Sequence, residues 1–139
     1  MKTDDLVNRL AATDLFSGLT KRALTRVAKA GREIKHADGH EVIVEGHGAV
    51  GFHLVTSGTA RVTTGDTVRR TLGVGDYFGE ISAIDGRPRS ASVEAIEKLT
   101  TFAIDPAVLN SLIDENPAFA RQLLKLLCSR LREAERRLD

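Results

Sequence analysis

Apolar positions along this chain change their period twice. Leu6, Val7, Leu10 and Ala11 recur at helical spacing, and after the Ser17-Gly18 break Ala23, Leu24, Val27 and Ala28 repeat the pattern behind Thr20. Residues 1–30 are therefore expected to hold two short amphipathic helices. From residue 31 to 105 the period shortens. Glu41-Val42-Ile43-Val44, Phe52-His53-Leu54-Val55, Ala60-Arg61-Val62-Thr63, Val68 to Leu72, Ala91 to Ala95 and Leu99 to Ile104 read as short strands. Gly39, Gly46-His47-Gly48, Ser57-Gly58, Gly65-Asp66, Gly73 and Gly75-Asp76 punctuate them. Many short strands between such turns predict an antiparallel β-sandwich, a jelly-roll β-roll.

Residues 106–139 return to a helical period. Asp105-Pro106 and Asn116-Pro117 each place a capping side chain before a proline suited to the first helical position, which predicts helices from Pro106 to Asp114 and from Pro117 to Leu138. In the second, Ala120, Leu124, Leu127, Leu131, Ala134 and Leu138 alternate four and three apart, the spacing of a coiled-coil seam. Phe119, Leu123 and Leu126 widen the apolar surface, so the helix is expected to have two partners, the sandwich and a second copy of the chain. The fold class is α+β, a β-roll flanked by N-terminal helices and a two-helix C-terminal segment, forming one domain over residues 1–139.

Composition narrows the function classes. At 139 residues the chain can bury a core without disulfide or metal staples, and a formal net charge of +1 gives no global attraction to nucleic acid or acidic membranes. Cys128 is the single cysteine, which excludes an intramolecular disulfide. Asp4, Asp5, Arg9 and Asp14 break up the N-terminal segment, unlike a signal peptide, and no apolar run reaches membrane-spanning length; the cytoplasm is the expected compartment. Arg130, Arg132, Arg136 and Arg137 interleave with Glu133, Glu135 and Asp139 and read as a solvated helix face rather than a nucleic-acid surface.

Catalytic and metal signatures are missing. His36, His40, His47 and His53, with Glu41 and Glu45, contain no His-x-His pair and are expected to be spread over turns and strand ends, so no metal site is predicted. There is no Gly-x-Ser-x-Gly elbow and no Walker loop, and Asp85 and Glu94 show no paired-carboxylate arrangement for hydrolysing a phosphodiester. No enzymatic activity is expected.

The stretch Gly79-Glu80-Ile81-Ser82-Ala83-Ile84-Asp85-Gly86-Arg87-Pro88-Arg89-Ser90-Ala91-Ser92-Val93 carries the chemistry. Gly79 permits a sharp turn into a brief helix whose first N–H groups have no intrahelical partner. Glu80, when ionised, accepts hydrogen bonds from a sugar hydroxyl, and Arg89 offers a planar fork matched to two phosphate oxygens. Together they suit a small sugar phosphate. The bland reading makes Glu80 a helix-start acid and Arg89 a surface charge.

Phe78-Gly79-Glu80-Ile81-Ser82 followed by Pro88-Arg89-Ser90-Ala91-Ser92-Val93 resembles the phosphate-binding cassette of the cyclic nucleotide-binding domain family. That family includes sensor domains of the catabolite activator protein and of protein kinase A regulatory subunits. Gly39, Ile43, Gly46, Gly58, Val62 and Gly75-Asp76 extend the likeness over roughly residues 15 to 130. The resemblance implies a non-catalytic sensor that binds cAMP, with cGMP left open by Ser90, and that switches its C-terminal helices. It implies that Glu80 binds the ribose 2′-hydroxyl and Arg89 the exocyclic phosphate oxygens. Phe78, Gly79, Ile81, Ser82, Ser90, Ala91 and Val93 would complete the ligand site. Leu124, Leu127, Cys128 and Leu131 are candidates to cap the purine, and the same helix pairs with its twin in the catabolite activator group.

That group carries a helix-turn-helix domain beyond this helix, so the present chain alone is not expected to read DNA. Two other readings stay open: the sensor of a transcription regulator whose DNA-binding part lies outside this sequence, and a jelly-roll dimerisation module with no ligand.

Overall fold

The computed structural model describes residues 2–43, 51–85, 87 and 91–138. Two helices open the chain, α1 (Thr3–Ala11) and α2 (Lys21–Ala30). Helix α1 buries Leu6, Val7 and Leu10, and carries Asp4 and Asp5 in its first turn and Arg9 in its last, the order that complements a helix dipole. Thr20 caps α2: its hydroxyl accepts from the Ala23 N–H at 3.2 Å.

Among the described residues six strands follow: β1 (Arg32–His36), β2 (Glu41–Ile43), β3 (Phe52–Thr64), β4 (Thr67–Leu72), β5 (Tyr77–Phe78) and β6 (Ser92–Ile104). A short helix, α3 (Glu80–Asp85), lies between β5 and β6. The strands form one antiparallel sheet ordered β1-β6-β3-β4, with β2 also paired to β6 and β5 to β3. The antiparallel roll with flanking helices is the architecture the period changes predict.

Two strands are longer than the sequence suggests. Strand β3 runs through the turn expected at Ser57-Gly58, and β6 joins two runs that read as separate. The reason lies in their pairing, whose register shifts between Val55 and Ser57 and again between Ser57 and Thr59. Gly58 absorbs the irregularity with φ at +85°, and a Cβ there would stand 2.0 Å from the Lys98 carbonyl oxygen. Its glycine thus bends a continuous strand instead of ending it. Val44 and the expected Gly46-His47-Gly48 turn lie outside the described residues.

Helices α4 (Pro106–Glu115) and α5 (Pro117–Leu138) close the chain. The expected side-chain cap at Asp105 does not form, and the Asn116 side chain turns back to donate to the Leu112 carbonyl at 3.2 Å. Proline at the first helical position pre-sets φ at a site where an N–H would have no helical partner.

Burial divides into two cores. One lies under the helices and includes Leu10, Phe16, Val27, Phe52, Phe102, Leu109 and Phe119. The other lies within the roll and consists of Val55, Ala60, Val62, Leu72, Phe78, Val93, Ala95 and Leu99.

His36 ends β1 and His40 follows it outside any strand, and these two come together with His53. His36 and His40 stack at 5.5 Å between ring centroids, and His53 lies 6.2 Å from His36. The buried Thr101 hydroxyl stands 3.0 Å from both His36 Nε2 and His53 Nδ1. A hydroxyl has one proton, so at least one of the two rings must donate to it. Burial first, then the neighbouring His40, holds the His36 pKa below its ordinary value. Among the described residues no group of three or more His, Cys, Asp or Glu side chains is placed to hold a metal ion.

Candidate functional site

The turn that leads into the cassette is pinned from both sides. The Asp76 carboxylate accepts from the Gly73 N–H at 2.8 Å, while the Asp76 carbonyl accepts from the Val55 N–H at 2.8 Å. Tyr77 and Phe78 then pair with Leu54 and His53 of β3. Gly79 follows with φ at +91°, a conformation that a side chain would strain, and Glu80 opens α3. From the far side Asn110 of α4 donates to the Ala83 carbonyl at 3.0 Å and to the Pro106 carbonyl at 2.9 Å. The cassette helix is therefore fixed to the sheet through Phe78 and to α4 through Asn110.

This geometry places an acid in the interior. Glu80 is only 1% exposed. A carboxylate so buried needs a partner, and Arg130 of α5 supplies it: Nη1 donates to Glu80 Oε1. Arg130 also donates through Nη2 to the Tyr77 carbonyl at 3.4 Å, and its guanidinium lies 4.9 Å from the centre of the Tyr77 ring. Burial raises the Tyr77 pKa, with Arg130 acting in the opposite direction.

Arg130, expected from its acidic neighbours on a solvated face, turns inward instead and pairs with Glu80. The signal was in the stripe Phe119, Leu123, Leu126, Arg130, spaced four, three and four. Phe119 and Leu123 are the buried positions of α5, and Arg130 continues their face.

The remaining expected site residues are distributed unevenly. Phe78 is buried and stacks on His53 with ring centroids 5.0 Å apart; Val93 is buried inside the roll; Ala91 is half-buried. Ser82 lies in α3, and Ile81 in the same helix is exposed. Arg89 and Ser90 lie outside the described residues.

A cavity of about 440 Å³ opens between β4, Ala91 and α5. Its α5 wall includes Arg130, Glu133, Ala134 and Arg137. The four residues considered as caps for a purine are elsewhere. Leu124, Cys128 and Leu131 are exposed, and Leu127 packs beside the helical core. Leu124, Cys128 and Leu131 fall off the stripe that buries Phe119 and Leu123, whereas Leu127 lies beside it.

Comparison with known proteins agrees with this geometry. The family model for the cyclic nucleotide-binding domain matches residues 33–116. The CRP-like cAMP-activated global transcriptional regulator of Mycobacterium tuberculosis is 28% identical over 134 residues, which cover 93% of this chain and 60% of the relative. A cGMP-dependent protein kinase of Toxoplasma gondii is 30% identical over 100 residues, 71% of this chain and 10% of the kinase. The crystal structure of Thermus thermophilus catabolite activator protein superposes with a TM-score of 0.81 at 31% identity, covering 91% of this chain and 62% of that one. The chain thus spans about 60% of the length of the bacterial regulator it matches. With the family model covering the roll and its cassette, the chain belongs to the cyclic nucleotide-binding domain family.

Proposed function

We propose that the chain is a non-catalytic sensor of a purine nucleoside 3′,5′-cyclic monophosphate. The observation that carries this reading is the buried Glu80, held at the start of the cassette helix and met by Arg130 from α5. A ribose 2′-hydroxyl donating to the Glu80 carboxylate would meet a desolvated acceptor, where a charge-assisted hydrogen bond is strongest. Arg89, by its position in the cassette sequence, is assigned the cyclic phosphate. The names of the relatives support both a cAMP and a cGMP ligand.

The same ion pair supplies the switch. Arg130 belongs to α5, so a ligand that hydrogen-bonds Glu80 changes what holds this helix against the roll. A ligand can shift the helix only by preferring one of its positions. Beyond the pocket, α5 exposes Leu124, Leu131 and Leu138 at seven-residue intervals, which supports a homodimer through this helix. The cytoplasm is the proposed compartment; among the described residues no helix is long and apolar enough to cross a membrane.

Calorimetric titration of nucleotide-stripped protein with cAMP and cGMP tests the reading: at least one must bind with a stoichiometry of one per chain. Removing one member of a buried charge pair costs about 2 to 5 kcal/mol, so Arg89→Ala should weaken binding roughly thirtyfold to several thousandfold. Equal affinities for parent and variant would sink the phosphate assignment. Hydrogen exchange that is unchanged across α5 at saturation would remove the switch.

A further inference from the structure

A line of buried side chains runs from one end of the sheet to the cassette. His36 is buried at the close of β1, the end strand in the order β1-β6-β3-β4. Its Nε2 stands 3.0 Å from Thr101 Oγ1 on β6, and the same hydroxyl stands 3.0 Å from His53 Nδ1 on β3. His53 pairs with Phe78 of β5, and the two rings stack parallel to within 5°. Gly79 and Glu80, the turn and the acid of the cassette, follow Phe78 directly.

This arrangement suits neutral imidazoles. A hydroxyl between two rings is satisfied when one ring donates to its oxygen and the other accepts its proton. A further proton either makes both rings donors toward Oγ1 or lodges on a remote ring nitrogen, and each outcome leaves a charge in a desolvated site. The surroundings of His36 offer that charge no relief. From β6, Leu99 lies opposite it and Thr101 beside it; from β3 comes His53. Among the described residues the charge that acts on His36 is that of His40, which stacks on it and adds to burial in lowering its pKa. Lys35, Asp38, Glu41, Glu97 and Lys98 on the adjoining strands and turns are exposed, and the Asp38 carboxylate accepts from the Glu97 N–H at 2.8 Å. A protonated His36 therefore gains most by turning to water, which breaks its bond to Thr101.

We propose that this line of side chains makes ligand affinity proton-linked: the cyclic nucleotide binds the form in which His36 is neutral and Thr101 holds His53 against Phe78. Acid then weakens binding by releasing the support behind the cassette turn. The proposal rests on the cyclic nucleotide reading above. Linkage is reciprocal, so bound ligand must in turn make His36 harder to protonate. A cluster that only stabilised the sheet would titrate alike in free and bound protein.

Calorimetry of nucleotide-stripped protein with cAMP and cGMP at two pH values tests the linkage. Affinity should fall about three- to tenfold from about pH 7.5 to about pH 5.5, the range open to a single histidine that titrates at or below its ordinary value. Repeating the titration near pH 6 in buffers of different ionisation enthalpy needs no substitution: the parent should release a fraction of a proton, up to about one, per ligand bound. His36→Gln should flatten the pH dependence to within about twofold. His40→Gln removes the neighbouring charge that opposes protonation of His36, so its loss of affinity should begin at a higher pH than in the parent. Binding at both pH values with equal affinity and no proton release overturns the linkage and leaves cyclic nucleotide binding standing. A dependence as steep in His36→Gln as in the parent also overturns it. Binding of neither nucleotide at either pH overturns both readings.

Discussion

The core beneath the helices holds a cluster of rings among its aliphatic side chains, and the core within the roll is aliphatic but for Phe78. Phe16 meets Phe52 edge-on at 5.7 Å and Phe119 at 5.6 Å, and Phe52 stacks on Tyr77 at 5.5 Å. The roll's interior holds Val55, Ala60, Val62, Leu72, Val93, Ala95 and Leu99, with one ring, Phe78. Rings bury large areas and lock helices against a sheet. Ala91, which packs against the roll's core, also lines the cavity under α5. Tyr77 joins the two regions, with Phe52 on one side of it and Arg130 on the other. One core fixes where α5 starts, and the other borders what α5 covers.

The sharpest way to break this division is Phe16→Ala. The ring is fully buried between β3 and α5, and its loss should cost about 3 to 5 kcal/mol in urea unfolding, with ligand affinity of the folded protein nearly unchanged. Comparable loss of affinity would show that the ring core also shapes the pocket. Arg130→Met acts at the junction. It leaves the Glu80 carboxylate buried without its cation and should destabilise the ligand-free protein by about 2 to 3 kcal/mol, since the arginine itself is partly solvated. The double variant with Glu80→Gln should recover much of that loss; no recovery would mean that the pair is not what holds α5.

A smaller effect is expected from the histidine cluster behind Phe78. Because the folded pKa of His36 lies below its unfolded value of 6.5, the unfolded chain takes up that proton first as pH falls. The contribution is complete above about pH 6.5 and is lost progressively below it, until the folded group also protonates. Urea midpoints between about pH 7.5 and pH 5.5 should fall less steeply in His36→Gln than in the parent. Identical slopes would assign the acid sensitivity elsewhere. The smallest change belongs to the exposed pair Arg26–Glu115, 3.5 Å apart at the outer edge of the helical core. Arg26→Ala should move stability by no more than about 0.5 kcal/mol, and a larger shift would give the surface a role that this division denies it.

The sequence by itself determined the roll, its flanking helices and the cassette. Alternation and glycine turns specify a half-buried sheet wherever they occur, and Gly79-Glu80 needs only local backbone geometry to set its turn. Tertiary structure decided what depends on contacts between distant segments. The union of two short runs into β3 follows from a register shift against β6, which a local pattern does not contain. Arg130 and Glu80 lie 50 positions apart, and their pairing depends on the angle at which α5 leaves the helical core. The stripe through Phe119 and Leu123 held a trace of it, masked by the acidic neighbours that make Arg130 look solvated. Arg70 likewise reads as one charge among others on a polar strand until the pairing of Val62 with it turns its side chain inward. A sequence states which groups can do chemistry; the fold determines which of them share one cavity.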